Sequence, residues 1–339
     1  MKILSLETSC DETACAIISK NPKENFVKVL SNVVASSLDL HSKTGGIIPD
    51  IAAREQLKFI IPVIEKAIED SELKTEDLDA IAVTYGPGLI GSLLIGVETA
   101  KTLSYLWNKP LIPVNHLLGH IYANFIENKQ TVNFPALALI ASGNHTDLLL
   151  LKNHGKIKWL GGTLDDACGE AFDKIGRLLN LQYPAGPMIE ELAKKGNPKA
   201  FRFPRPMIGS GNFDFSFSGL KSAVFREVKT HKSLSSQIVS DIARGTQDAI
   251  INVIVRKTVK AAKIYKVKSL LLGGGVAANQ KLRDEMKLEI KKWELKIDFF
   301  CPEKSLCTDN AAMIGAYAAF NYNPVPLKNI TANPELYLI

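Results

Sequence analysis

Two stretches decide the fold. The first is Ile3-Leu4-Ser5-Leu6-Glu7-Thr8-Ser9-Cys10-Asp11-Glu12-Thr13-Ala14-Cys15-Ala16-Ile17-Ile18. An apolar run meets a cluster of hydroxyls and acids, and a second apolar run follows. This pattern predicts a strand, a polar turn and a returning strand. The first run is nearly continuous in apolar residues, as a sheet covered on both faces requires. The second stretch repeats the arrangement about half a chain later. Ala136-Leu137-Ala138-Leu139-Ile140-Ala141 leads into Ser142-Gly143-Asn144-His145-Thr146, and Leu148-Leu149-Leu150-Leu151 returns. Two such copies suggest a duplicated domain with a ligand cleft between the lobes. The plainer alternative is two unrelated hairpins that look alike.

Helical spacing places helices over residues 55–68, 88–106, 165–181, 236–263 and 310–320, the last rich in alanine. Helices interleaved with buried strands give an α/β architecture. Residues 197–218 carry Pro198, Pro204, Pro206, Gly209 and Gly211. They read as an irregular surface loop able to move.

Composition bounds the rest. At roughly 100–200 residues per domain, 339 residues predict two domains or one bilobal one. Hydrophobic residues at 46% and charged residues at 22% exclude a disordered or fibrous chain. No apolar run approaches the roughly 18–20 residues that span a bilayer. Glu7 interrupts the N-terminal apolar run too early for a secretory signal. The net charge of +6 permits contact with nucleic acid without requiring it. Five cysteines, an odd number with no C-x-x-C pair, argue for reduced thiols in a cytoplasm and against a thiolate zinc site.

Four motifs could carry chemistry. In His116-Leu117-Leu118-Gly119-His120, two imidazoles four apart share one helix face and can meet one metal ion. Imidazole suits iron, zinc and nickel. Leu117 stands where the metalloprotease motif has its glutamate base, so a protease lacks its base. The alternative is two buried, hydrogen-bonded histidines. Asp309 is a candidate third ligand, since two histidines and a carboxylate leave open positions on a metal such as iron(II). Thr308 or Asp309 could equally cap the alanine-rich helix, and a cap and a ligand are compatible. In Ser142-Gly143-Asn144, small residues let backbone N–H groups approach a phosphate, with Asn144 able to adopt positive φ. Leu270-Leu271-Leu272-Gly273-Gly274-Gly275 runs from a strand through three glycines into a helix, giving a nucleotide access to backbone. It is neither a dinucleotide fingerprint nor a P-loop.

Together with Gly86-Pro87-Gly88-Leu89, Gly169-Glu170-Ala171-Phe172-Asp173-Lys174, Tyr183-Pro184-Ala185-Gly186-Pro187 and Phe215-Ser216-Phe217-Ser218-Gly219-Leu220-Lys221, these motifs occur in an order that resembles the TsaD family, from Leu4 to about Ala318. The resemblance implies a two-lobed fold like that of actin, hexokinase and the heat-shock chaperone ATPases, built from duplicated ribonuclease-H-like domains. Its first lobe would be residues 1–115 completed by 321–339, its second 116–320, with the active-site cleft between them. It implies transfer of a threonylcarbamoyl group from threonylcarbamoyl-AMP to the exocyclic amine of adenosine 37 in tRNAs reading codons that begin with A, with release of AMP. A non-catalytic nucleotide-binding scaffold and a kinase of the same fold are the alternatives.

By the same resemblance, His116, His120 and Asp309 would hold one divalent metal, Fe(2+) or Zn(2+). Ile140, Ala141, Ser142, Gly143, Asn144, Asp173, Gly186, Glu190 and Asn279 would bind the substrate. Asp11 or Glu12 would take the amine proton. The partners would be tRNA, a TsaB-like paralogue and a TsaE-like P-loop ATPase, with TsaC making the adenylate, all in the cytoplasm and without a membrane. The helix carrying Gly91, Ser92 and Gly96 would pack against a partner or within its own lobe. Arg226, Lys229, His231 and Lys232 would contact tRNA phosphates or simply form a solvated helix end.

The chain departs from the family pattern at Asn144 and Ala185, where glycine is usual, and at Asp147, where glutamine is. Asp147 would add charge near the phosphate turn, and Ala185 would be strained if its position needs positive φ. Asp50 and Gln56 stand where Glu and His are usual, and Gln56 is given no metal role.

Overall fold

The computed structural model describes residues 1–338. The chain divides into two compact units, Met1–Val132 together with the chain from Pro302 onward, and Asn133–Cys301. The expected divisions at 115/116 and 320/321 fall at 132/133 and 301/302. Residues 116–132 and 302–320 instead pack with the first unit.

The first unit holds β1 (Lys2–Glu7), β2 (Glu12–Ser19), β3 (Lys28–Ser36), α1 (Leu38–Thr44), α2 (Pro49–Asp70), β4 (Ala80–Gly86), α3 (Ile90–Trp107), β5 (Leu111–Asn115) and α4 (His116–Tyr122). Its sheet has the order β3-β2-β1-β4-β5. β1 runs antiparallel to β2 and parallel to β4, and β4 runs parallel to β5. Ile3, Leu4 and Leu6 are fully buried, as are Ala14 to Ile18 of the returning strand. The expected strand, turn and strand are all present.

The second unit repeats the plan with β6 (Ala136–Ala141), β7 (Thr146–Asn153), β8 (Lys156–Gly162), α5 (Cys168–Leu178), α6 (Ala185–Lys195), α7 (Ser218–Thr230), α8 (Ser236–Ile264), β9 (Ser269–Gly273), α9 (Gln280–Lys292) and β10 (Asp298–Phe300). Its sheet order is β10-β9-β6-β7-β8, with β6 antiparallel to β7 and parallel to β9. Each sheet thus has five strands, with its central strand flanked by an antiparallel return and a parallel neighbour.

The chain then re-enters the first unit and forms α10 (Ala311–Phe320). Its alanines let it lie close on the first sheet. Ser5 Oγ donates to the Ala311 carbonyl at 2.6 Å, and a Cβ added at Gly315 would stand 2.8 Å from Ile18 Cγ1. Such a contact is possible only without a side chain.

Three local expectations change. Residues after the glycine run form a 3-10 turn, Gly275–Ala278, and α9 begins only after Asn279. The helix expected over 165–181 starts at Cys168, which leaves Asp165 to accept hydrogen bonds from Ser216 Oγ (2.5 Å) and the Phe217 N–H (2.8 Å). Residues 197–218 are irregular as expected, but they are tied down. Buried Lys257 of α8 donates to Ser210 Oγ at 2.7 Å and to the Asp214 carbonyl. Together with the Ser216 and Phe217 bonds to Asp165, these make four hydrogen bonds that hold a loop whose composition suggests movement.

The small-residue face of α3 is used internally. Ser92 Oγ donates to the Cys10 carbonyl at 3.1 Å, and a Cβ on Gly96 would meet Thr8 Oγ1 at 2.2 Å. At the end of α7, Lys229 Nζ lies over the Phe225 ring and His231 pairs with Glu227 at 3.2 Å. Among the described residues, no helix is long and apolar enough to cross a membrane.

Candidate metal centre and nucleotide-binding turns

The first unit gathers its polar groups at the carboxyl ends of its parallel strands. β1 ends in Glu7, β4 carries Thr84 near its end, and β5 runs straight into His116. Asn115 starts α4 by accepting from the Leu117 N–H at 2.9 Å, an ordinary N-cap. One turn of helix separates His116 from His120, so both imidazoles face one way. Their rings meet edge to face at 4.6 Å.

Gly119 sets where that face points. A Cβ there would stand 2.7 Å from Ile314 Cδ1 and 3.3 Å from Met313 Cγ, so α4 crosses α10 through this glycine. The crossing brings the residue before α10's cap to the histidines. Asp309 Oδ1 lies 3.5 Å from His116 Nε2 and 3.3 Å from His120 Nε2. The cap itself is Asn310, whose Oδ1 accepts from the Met313 N–H at 3.1 Å, not Thr308 or Asp309. Asn310 takes the extended backbone that a cap needs, and Asp309 is left to face the imidazoles.

One ligand atom from each of His116, His120 and Asp309 lies within 4.8 Å of the others. Both histidines are buried and Asp309 is partly so. Two imidazole nitrogens and one carboxylate oxygen converging in a buried place fit a divalent transition metal with open positions. In the protein alone, burial pulls the His116 pKa down. Glu7 and Asp309 more than offset this and raise it to about 9.

The acidic turn lies beside this group. Asp11 is buried, and its carbonyl accepts from Ser37 Oγ at 2.8 Å. Burial pushes the Glu12 carboxyl up to about 10, with Asp309, Asp11 and Glu7 pushing the same way. A carboxyl held neutral can donate, and Glu12 shares a hydrogen bond with Asp11. Gln56 organises the turn from α2. Its Nε2 donates to the carbonyls of Glu12 (2.9 Å), Cys10 (3.1 Å) and Thr8 (3.3 Å).

Sequence alone gives no role to Glu7, Ser9 or Thr84, and none to Gln56 beyond excluding it as a metal ligand. A signal was present for Glu7, an acid closing an otherwise apolar buried strand. For Thr84 and Gln56 the partners are 77 and 44 to 48 positions away, and nothing local marks them.

In the second unit, Ile140 and Ala141 close β6, fully buried. The turn after them sits on the N-terminus of α5. The Ser142 carbonyl accepts from the Gly169 N–H at 3.1 Å, and the Gly143 carbonyl from the Glu170 N–H at 3.0 Å. Just past the end of the neighbouring parallel strand β9, Gly274 has φ +92, and a Cβ there would stand 2.4 Å from the Ala141 carbonyl oxygen. Gly143 and Gly275 lie just past the carboxyl ends of β6 and β9, and a Cβ on either would meet nothing within 4 Å. Gly186, early in α6, is equally open. Open backbone at the carboxyl ends of parallel strands is where α/β sheets take ligands.

The remaining candidates have structural partners. Asp173 accepts from the Ala185 N–H at 2.7 Å. Glu190 Oε1 accepts from the Gln280 N–H at 2.8 Å and lines a recess of about 500 Å³ with Lys194, Arg244 and Lys281. Asn279 caps α9 through Leu282 N–H at 3.0 Å and donates to Gln247 Oε1 at 3.0 Å, so its side chain is already engaged at both ends.

The departures from the family pattern change meaning here. Asn144 does not adopt positive φ. Ala185 does not either; it is the first residue of α6 and is unstrained. Asp147 is buried, pairs across with Ile140, and accepts from Trp159 Nε1 at 2.9 Å. It sits within the sheet and not on the turn, and burial raises its pKa despite the indole.

Comparison with known proteins places this geometry. A family model described as TsaD, tRNA N6-adenosine threonylcarbamoyltransferase, matches residues 28–316. The Bacillus subtilis tRNA N6-adenosine threonylcarbamoyltransferase is 49% identical over 317 residues, covering 93% of this chain and 89% of that one. The Thermosipho melanesiensis protein of the same description is 46% identical over 338 residues, covering 100% of both. Among solved structures, T. kodakarensis HypF superposes with a TM-score of 0.62 at 15% identity, over 95% of this chain and 48% of that one. Component A of the Acidaminococcus fermentans (R)-2-hydroxyglutaryl-CoA dehydratase gives 0.54 at 16% identity, over 95% and 98%. These two likenesses show the fold, that of the actin, hexokinase and heat-shock chaperone class. The sequence matches carry the activity: the chain belongs to the TsaD family of tRNA N6-adenosine threonylcarbamoyltransferases, enzymes that modify tRNA by threonylcarbamoyl transfer.

Proposed function

We propose that the donor is threonylcarbamoyl-AMP, that AMP leaves, and that a divalent metal, iron(II) or zinc, held by His116, His120 and Asp309 serves the transfer. The observation that carries this reading is the convergence of both Nε2 atoms on one carboxylate oxygen, at 3.5 and 3.3 Å. When bound, the metal supplies a Lewis acid for oxygen atoms that gain charge during transfer.

The donor is a mixed anhydride with a good leaving group, so no protein nucleophile is needed. Adenine's amine is a weak nucleophile. Positioning and charge stabilisation are therefore the protein's main tasks. Residues Ile140, Ala141, Ser142, Gly143 and Asn144 present backbone to the phosphate, and open Gly143 lets it come close. Asp173 and Glu190 accept from ribose hydroxyls, while Gly186 and Asn279 shape the rest of the nucleotide pocket. Asp11 takes the proton released by the amine; Glu12, held neutral by burial and its acidic neighbours, does not. The partners are tRNA, a TsaB-like paralogue and a TsaE-like ATPase, and the setting is the cytoplasm.

Nucleoside mass spectrometry tests this. Unmodified tRNA is incubated with threonylcarbamoyl-AMP and the partner proteins, with wild type, His116→Ala or no enzyme. Threonylcarbamoyladenosine is expected with wild type only. Wild-type rates from folded His116→Ala would sink the metal assignment.

A further inference from the structure

We propose that Glu7 is a positioning residue for the metal centre: its carboxylate fixes His116 with Nδ1 protonated and Nε2 turned to the metal. The inference rests on the metal reading of His116, His120 and Asp309, and concerns what orients that set.

Glu7 closes β1 with its side chain 1% exposed, yet it is well supplied with donors. Thr84 Oγ1 donates to Oε2 at 2.6 Å, and the Ser9 N–H donates to Oε1 at 2.6 Å. Two such short contacts suit an ionised, acceptor-only carboxylate. Oε2 also lies 3.0 Å from His116 Nδ1. An acceptor-only group there requires the proton on Nδ1. In the neutral ring that would bind a metal, the lone pair then belongs to Nε2, the atom that faces Asp309. Ser9 Oγ, 3.1 Å from the same Nδ1, adds a second contact to it. His120 has no equivalent: its Nδ1 is buried and makes no hydrogen bond. The centre is therefore asymmetric: both imidazoles face Asp309 through Nε2, but only His116 has a carboxylate at its Nδ1.

Carboxylate partners of this kind fix a ligand's tautomer and raise its basicity, and losing one typically costs 10–100-fold in metal affinity. The sheet explains why the pair can form. β1, β4 and β5 are adjacent and parallel, so their carboxyl ends deliver Glu7, Thr84 and His116 side by side.

The test is Co(II) affinity, measured by equilibrium dialysis and the visible absorption of the bound ion, without any turnover assay. Wild type, Glu7→Gln and Thr84→Val are each compared in three backgrounds: unmodified, His116→Ala and His120→Ala. Thr84→Val keeps the shape of the strand and removes one support of Oε2, so it serves if Glu7→Gln does not fold. About a 10–100-fold loss is expected for Glu7→Gln, and a smaller one for Thr84→Val. Both losses should persist in His120→Ala and vanish in His116→Ala. Unchanged affinity in both variants would overturn the Glu7 assignment while the metal site stood. So would an equal loss in the His116→Ala background, which would mean general damage. Wild type that binds no Co(II) would overturn the metal reading and this inference with it.

Discussion

Asp173 reaches from α5 to the first residue of α6 and accepts the Ala185 N–H at 2.7 Å. It therefore caps a helix to which it does not belong. Burial raises its pKa, and the N–H groups of Ala185 and Gly186 only partly offset that. A carboxylate has about four lone-pair sites, so the cap leaves capacity for a ribose hydroxyl. Asp173→Ala is expected to cost about 1 kcal/mol of stability, the typical cost of a lost cap. Asp173→Asn keeps an acceptor oxygen and should retain most of that stability while weakening donor binding. Urea unfolding midpoints and calorimetric titration with the donor separate the two effects.

Gly176 and Ala185 are matched. A Cβ on Gly176 would stand 2.0 Å from the Ala185 methyl. Gly176→Ala should destabilise the second unit by about 1–3 kcal/mol, the range for overpacking. Adding Ala185→Gly should restore most of it, which makes the pair strongly non-additive. Thermal melts of the two single variants and the double variant give the coupling. Additive losses would show that the two positions do not touch.

The α4–α10 crossing makes Gly119 a determinant of the candidate metal site. In Gly119→Ala, the new methyl meets the Ile314 and Met313 side chains, and the helix crossing shifts unless those side chains turn away. Asp309 then moves relative to both histidines. Co(II) affinity is expected to fall by about tenfold, comparable to loss of an outer partner of the metal. Equal affinity in wild type and variant would show that the side chains absorb the shift.

Asp165 makes stability depend on acid. Burial raises its pKa, but hydrogen bonds from Ser216, Phe217 and Ser218 outweigh this and the net shift is downward. A lowered folded pKa contributes stability above the unfolded value, about 3.9, and loses it as pH falls through the folded value. Asp165→Asn should therefore be less stable than wild type at pH 7. The gap should close in strong acid. Chemical unfolding at pH 7, 5 and 3 checks the sign.

Much of this was legible in the residues. Apolar runs such as 3–6 and 136–141 announce strands, and two histidines four apart announce a shared helix face. These are short-range signals, set by the pleat and the helical turn. What escaped depends on contacts distant in sequence. Three polar residues in a row, Thr308, Asp309 and Asn310, are all competent caps. Only the docking of α10 makes Asn310 the cap and turns Asp309 to the histidines. Glu7 and His116 lie 109 positions apart, and the order of strands is what joins them. Ala185 would be strained only at positive φ, and the start of α6 does not ask for it.

The second unit interrupts the first, since the chain leaves at Val132 and returns at Pro302. On the ribosome, the first sheet is therefore made long before the helix that covers it. About 170 residues must be synthesised before α10 can dock on β1 and β2. Until then, the strands from Ile3 to Val114 lack one wall of their core, and the two histidines wait for their carboxylate. The candidate metal site is thus among the last features to be completed during synthesis, and a nascent chain stalled before Asp309 holds only two of its three ligand residues.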